Sequence, residues 1–256
     1  MGSKLVTLVR NLQQRKGRKR QRLAVAEGIR LVEEALAARV PFRGAIVSPA
    51  LAKTARGEAL LVDLAAHAVP LEELPTREFE RLAGTDTPQG VLAVVDPPTW
   101  PLDHIVPAPS APVLVLDAVQ DPGNVGTLLR TAFALGAAGA VLLKGTADPH
   151  NAKVLRAAMG ATFRLPTAPA DDGQLAAWAR EREIAVWAAA SQGTPLVQLT
   201  APARLAIVVG NEGAGVRDAI RALAVQRVAV PLARGAESLN VAVAAGILLY
   251  EVTRGT

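Results

Sequence analysis

From residue 113 onward the chain repeats one pattern. A short unbroken apolar run is followed by a polar loop, then by apolar residues at helical spacing. The runs at 113–116, 140–143, 184–189, 205–209 and 228–230 read as buried strands. Helical spacing is found near 124–135, 152–159, 171–182 and 238–252. Strands alternating with helices predict an α/β fold, with a parallel sheet covered on both faces. Ligands of such sheets bind at loops beyond the carboxyl ends of the strands. The loops after Leu116, Val209 and Val230 are therefore the ones to inspect. Before residue 96 the pattern predicts a smaller α/β unit. A basic helix comes first, with further helices near 29–39, 57–66 and 76–82. Strands are expected near 23–26, 45–48, 68–71 and 91–95.

Between the two patterns lies DPPTWPLDHIVPAPSAP, residues 96–112, with six prolines. Proline removes amide donors and stiffens the chain, so this stretch reads as an extended linker. The expected organisation is a domain over 1–95, a linker over 96–112 and a second domain over 113–256. The apolar half of the composition suffices for a sizeable core. No apolar run approaches the roughly 18 residues of a membrane span, so no membrane partner is expected. The opening residues lack the apolar core of a secretory signal, and a cytoplasmic location is expected. The chain has no cysteine, which excludes disulfides, thiolate metal sites and cysteine nucleophiles. The three histidines, His67, His104 and His150, are far apart, and no metal is expected.

Charge sharpens the picture at the amino end. The net charge is +5, yet residues 1–40 alone carry ten basic side chains against three acidic ones. Arg15, Lys16, Arg18, Lys19, Arg20 and Arg22 follow one another without an acid among them. Such a run either binds polyphosphate through counterion release or is a solvated terminus. The absence of neutralising acids favours a nucleic acid, and the absence of aromatics excludes base stacking by this run.

The three loops hold the polar chemistry. In DAVQDPGNVGTLLR, 117–130, Pro122 and Gly123 suit a turn, Asn124 is placed to cap a helix, and Arg130 lies two turns on. In VVGNEGAGV, 208–216, three glycines within six residues let backbone approach a ligand closely. That spacing is neither the dinucleotide fingerprint nor a P-loop. In VPLARGAESLNVAVAAG, 230–246, Ser238 is placed to cap the last helix, with Asn240 facing its first turn.

Taken together, DPGNVGTLLRTAFALG, VVGNEGAGV and VPLARGAESLNVAVAAGILLYE resemble, in order and spacing, the three motifs of the SpoU/TrmH family of SPOUT RNA methyltransferases. The upstream VRNLQQRKGRKRQRLAVAEGIRLVEEALAA resembles, more loosely, the ribosomal-protein-like RNA-binding domain found in many members. The resemblance implies a parallel-sheet domain with a deep trefoil knot, which no periodicity could reveal. It implies S-adenosylmethionine as methyl donor, a homodimer with the site near its interface, and methylation of a ribose 2′-hydroxyl. Ribosomal RNA is the first choice of substrate and transfer RNA the second; an RNA-binding protein without catalysis is the rival from another class. Carried over by position, Gly210, Val230 and Leu239 would hold the cofactor, and Asn124, Arg130, Glu212, Ser238 and Asn240 would form the catalytic surface. The resemblance also implies that Arg130 is the base, which strains simple chemistry, because an arginine normally keeps its charge. Either burial makes it a transient proton acceptor, or it binds a phosphate and fixes the ribose while water or another group takes the proton. Glu212 as sole base ranks third.

Overall fold

The computed structural model describes residues 3–254, so the extreme ends of the two expected domains lie outside the described residues. In chain order the elements are α1 (Lys4–Leu12), α2 (Arg15–Gln21), β1 (Ala24–Glu27), α3 (Ile29–Ala37), β2 (Phe42–Val47), α4 (Ala55–Ala66), β3 (Leu71–Glu73), α5 (Thr76–Leu82) and β4 (Val91–Val95). They continue as β5 (Val113–Asp117), α6 (Pro122–Ala134), β6 (Gly139–Leu143), α7 (Ala152–Ala158), β7 (Thr167–Ala170), α8 (Asp172–Glu181), β8 (Ala185–Pro195), β9 (Leu205–Gly210), α9 (Asp218–Arg221), β10 (Gln226–Ala229) and α10 (Val241–Thr253). The chain forms two compact units. One holds the residues up to Pro98 together with Asp148–Phe163; the other holds Thr99–Ala147 and the chain from Arg164 onward.

The first unit is built on a four-stranded sheet in the order β1-β4-β2-β3. Strand β4 runs antiparallel to both its neighbours, and β2 is parallel to β3. Successive strand residues point to opposite faces. Ala24, Ala26, Ala45, Val47, Val91 and Ala93 meet Leu31, Val32, Leu60 and Leu64 of α3 and α4 on one face. Val25, Ile46, Leu92 and Val94 meet Val6, Val9 and Leu12 of α1 and Phe79 of α5 on the other. Both faces are covered, which is why β4 and the first three residues of β1 read as unbroken apolar runs. The single basic helix expected at the start is two helices. They approach so closely that a Cβ on Gly17 would stand 1.9 Å from the Asn11 carbonyl oxygen.

Helix α7 belongs to this unit. Leu155 and Phe163 complete the core on the α3–α4 face. Two ion pairs fix the segment. Arg156 Nη1 donates to Glu27 Oε2 at 2.8 Å, and Arg18 Nη2 lies 2.8 Å from Asp148 Oδ2. Arg18 also donates to the carbonyls of Leu12 and Gln13, both at 2.9 Å, and is only 6% exposed. It is thus turned inward, whereas Arg15, Lys16, Lys19, Arg20 and Arg22 face solvent.

The second unit is an all-parallel, six-stranded sheet in the order β10-β8-β9-β5-β6-β7. Val113, Val115, Val141, Ala206 and Val208 pack against Leu175 and Trp178 of α8 and Ile220 of α9. Helices α6 and α10 pack on each other, with α6 also against β6 and α10 against β9. The proline-rich stretch is not a loose spacer throughout. Ile105 is fully buried, and its carbonyl accepts a hydrogen bond from Trp178 Nε1 at 3.3 Å. Among the described residues no helix is long and apolar enough to cross a membrane.

Two expected helix caps are corrected. Helix α6 begins at Pro122 and is capped by Asp121, whose carboxylate accepts from the Asn124 backbone amide at 2.8 Å. Proline needs no donor at the first helical position, so the helix starts before Asn124 and leaves that side chain for other work. Helix α10 begins at Val241 and is capped by Asn240, whose Oδ1 accepts from Ala242 N at 2.9 Å and Val243 N at 3.4 Å. Ser238 stands in the exposed loop before it.

Candidate active site

The carboxyl ends of β5 and β9, together with the loop before α10, gather the polar residues of the second unit. Asn124 Nδ2 donates to Glu212 Oε1 at 2.8 Å, and Asn240 Nδ2 donates to Asn124 Oδ1 at 3.0 Å. Asn240 in turn spends its own oxygen on the α10 amides. This directed chain of hydrogen bonds fixes which way both amides point and joins all three loops. It also brings the Glu212 carboxylate to the first turn of α6, where negative charge is favoured.

Beside the chain lies a cavity of about 460 Å3. Gly210, Val230 and Leu239 line it, together with Glu212, Ser238, Val209 and Leu248. The expected cofactor residues thus share one cavity with two of the expected catalytic ones. Arg130 stands apart: it is exposed on α6 and is not among the residues lining the cavity. A second cavity, of about 500 Å3, lies at the amino ends of β5 and β9, against Pro112, Trp187, Leu205 and Arg254. It holds none of the expected site residues and sits at the wrong end of a parallel sheet for ligand binding.

Gly210 is required by its own loop. A Cβ there would stand 2.1 Å from the Gly215 carbonyl carbon, because Asn211 and Gly215 pair backbone to backbone. Four residues that sequence reasoning passed over shape this region. Asn211 Nδ2 donates to the Ala118 carbonyl at 3.2 Å, while its Oδ1 accepts from Gly213 N at 3.0 Å and Ala214 N at 3.1 Å. Asp117 is fully buried at the end of β5 and pairs with Arg217 at 2.6 Å; Arg217 also pairs with Asp172 at 2.8 Å. Hydrogen bonds to Asp172 and then Asp117 raise the Arg217 pKa above its ordinary value, so the guanidinium stays charged. The one sequence signal for them was position, since Asp117 ends a strand and Asn211 and Arg217 flank the glycines.

Among the described residues no group of three or more histidines and carboxylates is placed to hold a metal ion. The cavity suits an organic cofactor. Its volume lies within the roughly 300–1,000 Å3 of small-molecule sites, and apolar walls face a loop rich in backbone donors.

Comparison with known proteins agrees with this geometry. The SpoU rRNA methylase family profile matches residues 111–250, and that of an MRM3-like substrate-binding domain matches residues 4–93. The 23S rRNA (guanosine(2553)-2′-O)-methyltransferase RlmP of Bacillus subtilis is 37% identical over 250 residues, covering 95% of this chain and 93% of its own. A putative TrmH-family RNA methyltransferase structure from Porphyromonas gingivalis superposes with a TM-score of 0.85 at 33% identity, with full coverage of both chains. The AdoMet-bound rRNA methyltransferase of Sinorhizobium meliloti gives a TM-score of 0.87 at 30% identity, covering 98% of this chain and 95% of that one. The chain belongs to the SpoU rRNA methylase family, and its fold is a parallel-sheet α/β domain preceded by a small α/β domain.

Proposed function

We propose that this chain methylates a ribose 2′-hydroxyl of ribosomal RNA, with S-adenosylmethionine as donor. The observation that carries the reading is the Asn240–Asn124–Glu212 chain, whose Glu212 lines the glycine-rich cavity. Support comes from relatives whose names specify 23S rRNA 2′-O-methylation and from a neighbouring structure described as AdoMet-bound.

Gly210, Val230 and Leu239 hold the cofactor, with Val209 and Leu248 completing the apolar wall. The donor supplies a methyl group already activated on a sulfonium, so no metal is needed. Bound there, the donor would supply its methyl group to the ribose 2′-oxygen and leave as S-adenosylhomocysteine, and the hydroxyl proton would pass to water or another group. Asn124 and Asn240 hold the Glu212 carboxylate in place, and Ser238 shapes the pocket. Arg130, exposed on α6, fits the role of a phosphate-binding group that fixes the ribose while another acceptor takes the proton. RNA is recruited by the exposed side chains of α2 and its C-cap, namely Arg15, Lys16, Lys19, Arg20 and Arg22. A cytoplasmic location belongs to the same reading.

The active form is a homodimer joined through α6 and α10. Val243, Ile247 and Tyr250 leave an apolar face on α10, and Gly246 and Thr131 lie in the groove between the two helices. The family's trefoil knot is part of this reading too. The order β10-β8-β9-β5, with the chain returning from β10 to cover β9 by α10, accords with it.

The test is to map 2′-O-methyl positions across total RNA from cells with and without the gene. Loss of one ribosomal position, restored by the purified protein with labelled S-adenosylmethionine, is expected. Unchanged maps and no label transfer would leave an RNA-binding protein without catalysis.

A further inference from the structure

The glycine-rich loop forms much of the cavity wall, from Gly210 to Gly215. Glycines give a backbone freedom without side-chain packing to restrain it, so the loop depends on how its ends are held. Its first end, Gly210, pairs with Asp117 in the ladder between β9 and β5. Its second end returns to the same residue. The Arg217 backbone amide donates to Asp117 Oδ2 at 2.8 Å, and Arg217 Nε donates to Oδ1 at 2.6 Å. The outer nitrogens of the guanidinium donate to both oxygens of Asp172 on α8, at 3.1 and 2.8 Å. One residue, Asp117, thus fastens both ends of the loop, Gly210 through the strand ladder and Arg217 through its buried carboxylate, and one arginine ties that carboxylate to a neighbouring helix.

We infer that Arg217 is a positioning residue: with Asp117 it clasps the glycine-rich loop in the form that binds the cofactor. The inference rests on the reading of this cavity as the S-adenosylmethionine site. Arg217 is not among the residues lining the cavity, so it acts through the loop and not on the ligand. The same loop carries Glu212, whose carboxylate meets Asn124, so the clasp sets that contact as well.

The test uses the full chain and three variants, R217Q, D117N/R217Q and D172N. Each is titrated calorimetrically with S-adenosylmethionine, and amide hydrogen exchange is followed at residues 213–215. In R217Q the Kd rises at least tenfold, and exchange at these amides quickens at least tenfold. This variant also loses stability, because Asp117 is left buried and unpaired. D117N/R217Q removes that charge and regains most of the stability, yet its affinity stays low because the loop remains unclasped. D172N keeps the inner pair and moves the Kd less than threefold. Wild-type affinity in R217Q would overturn the inference. So would affinity returning together with stability in D117N/R217Q, which would make the pair a fold-stabilising contact only. If the unaltered chain binds no S-adenosylmethionine, the cofactor reading fails separately, and unchanged exchange in R217Q then overturns the clasp on its own.

Discussion

At the residue scale, the roles of Asp121 and Asn124 separate what a sequence motif fuses. Asp121 caps α6, while Asn124 bridges Glu212 and Asn240. Asp121→Ala therefore costs about 1 kcal/mol of stability, as lost caps do. Asn124→Ala changes stability by less than about 0.5 kcal/mol but removes most of the activity; urea unfolding and initial methylation rates separate the two. Arg130→Ala is expected to abolish methyl transfer while leaving S-adenosylmethionine affinity at its wild-type value, since the residue lies outside the cavity; retained turnover would remove it from the mechanism. His150 offers a test in pH. Burial pushes its pKa below 6.5; Asp148 opposes this shift and Arg18 adds to it. As pH falls, the unfolded chain takes up the proton before the folded one does. This part of the stability is complete above about pH 6.5 and is lost as pH falls through the folded value. Thermal midpoints between pH 7.5 and 5 should fall more steeply for the wild type than for His150→Gln, and parallel curves would refute the assignment.

At the element scale, periodicity recovered most helices and strands, and the misses have physical reasons. Strand β7 reads Thr-Ala-Pro-Ala, too short and too proline-marked to announce itself. It is tolerated because β7 is an edge of the sheet, where a missing donor faces no partner strand. Helix α9 is only four residues long. The start of α10 was misplaced because Ser238 and Asn240 are both good caps and only the backbone decides between them. Gly210 and Val230 are marked in the sequence by the glycine cluster and by a strand end, and both line the cavity. The pairing of Asp117 with Arg217 is not marked, since nothing in sequence pairs residues a hundred positions apart. Helix α10 has more apolar positions than one buried face uses. Ala242, Ala245, Leu248 and Leu249 are buried, while Val243, Ile247 and Tyr250 remain exposed. Ile247→Glu with Val243→Glu should place charge at the centre of the proposed dimer face and give a monomer by sedimentation at micromolar concentration. A wild-type chain that is already monomeric there would remove the dimer from the proposal.

At the scale of the whole molecule, the charge run and the domain plan must be read through the core of the first unit. Cutting the chain near the prolines would free a catalytic domain only if few contacts tied 113–256 to the rest. Leu155 and Phe163 are buried in the first unit, and Arg156 pairs with Glu27. Removing residues 1–95 is therefore expected to expose those side chains and give an aggregating protein, so truncation is a poor test of RNA recruitment. Charge reversal within α2 is a better one, because the helix has two sides. Lys19 and Arg20 face solvent, while Arg18 is held by Asp148 and two carbonyls. Arg18→Glu would set two carboxylates against each other in a buried place, at a cost of about 3–5 kcal/mol, and should lower the thermal midpoint. Lys19→Glu with Arg20→Glu should leave that midpoint within a degree or two. If these two side chains meet phosphates, the variant raises the RNA KM far more than it lowers kcat. The slope of log affinity against log salt then becomes shallower by about two, one for each lost contact. Cofactor affinity stays unchanged, which separates loss of recruitment from loss of the site. An unchanged salt slope would mean that α2 is a solvated surface and that RNA is gripped elsewhere on the chain.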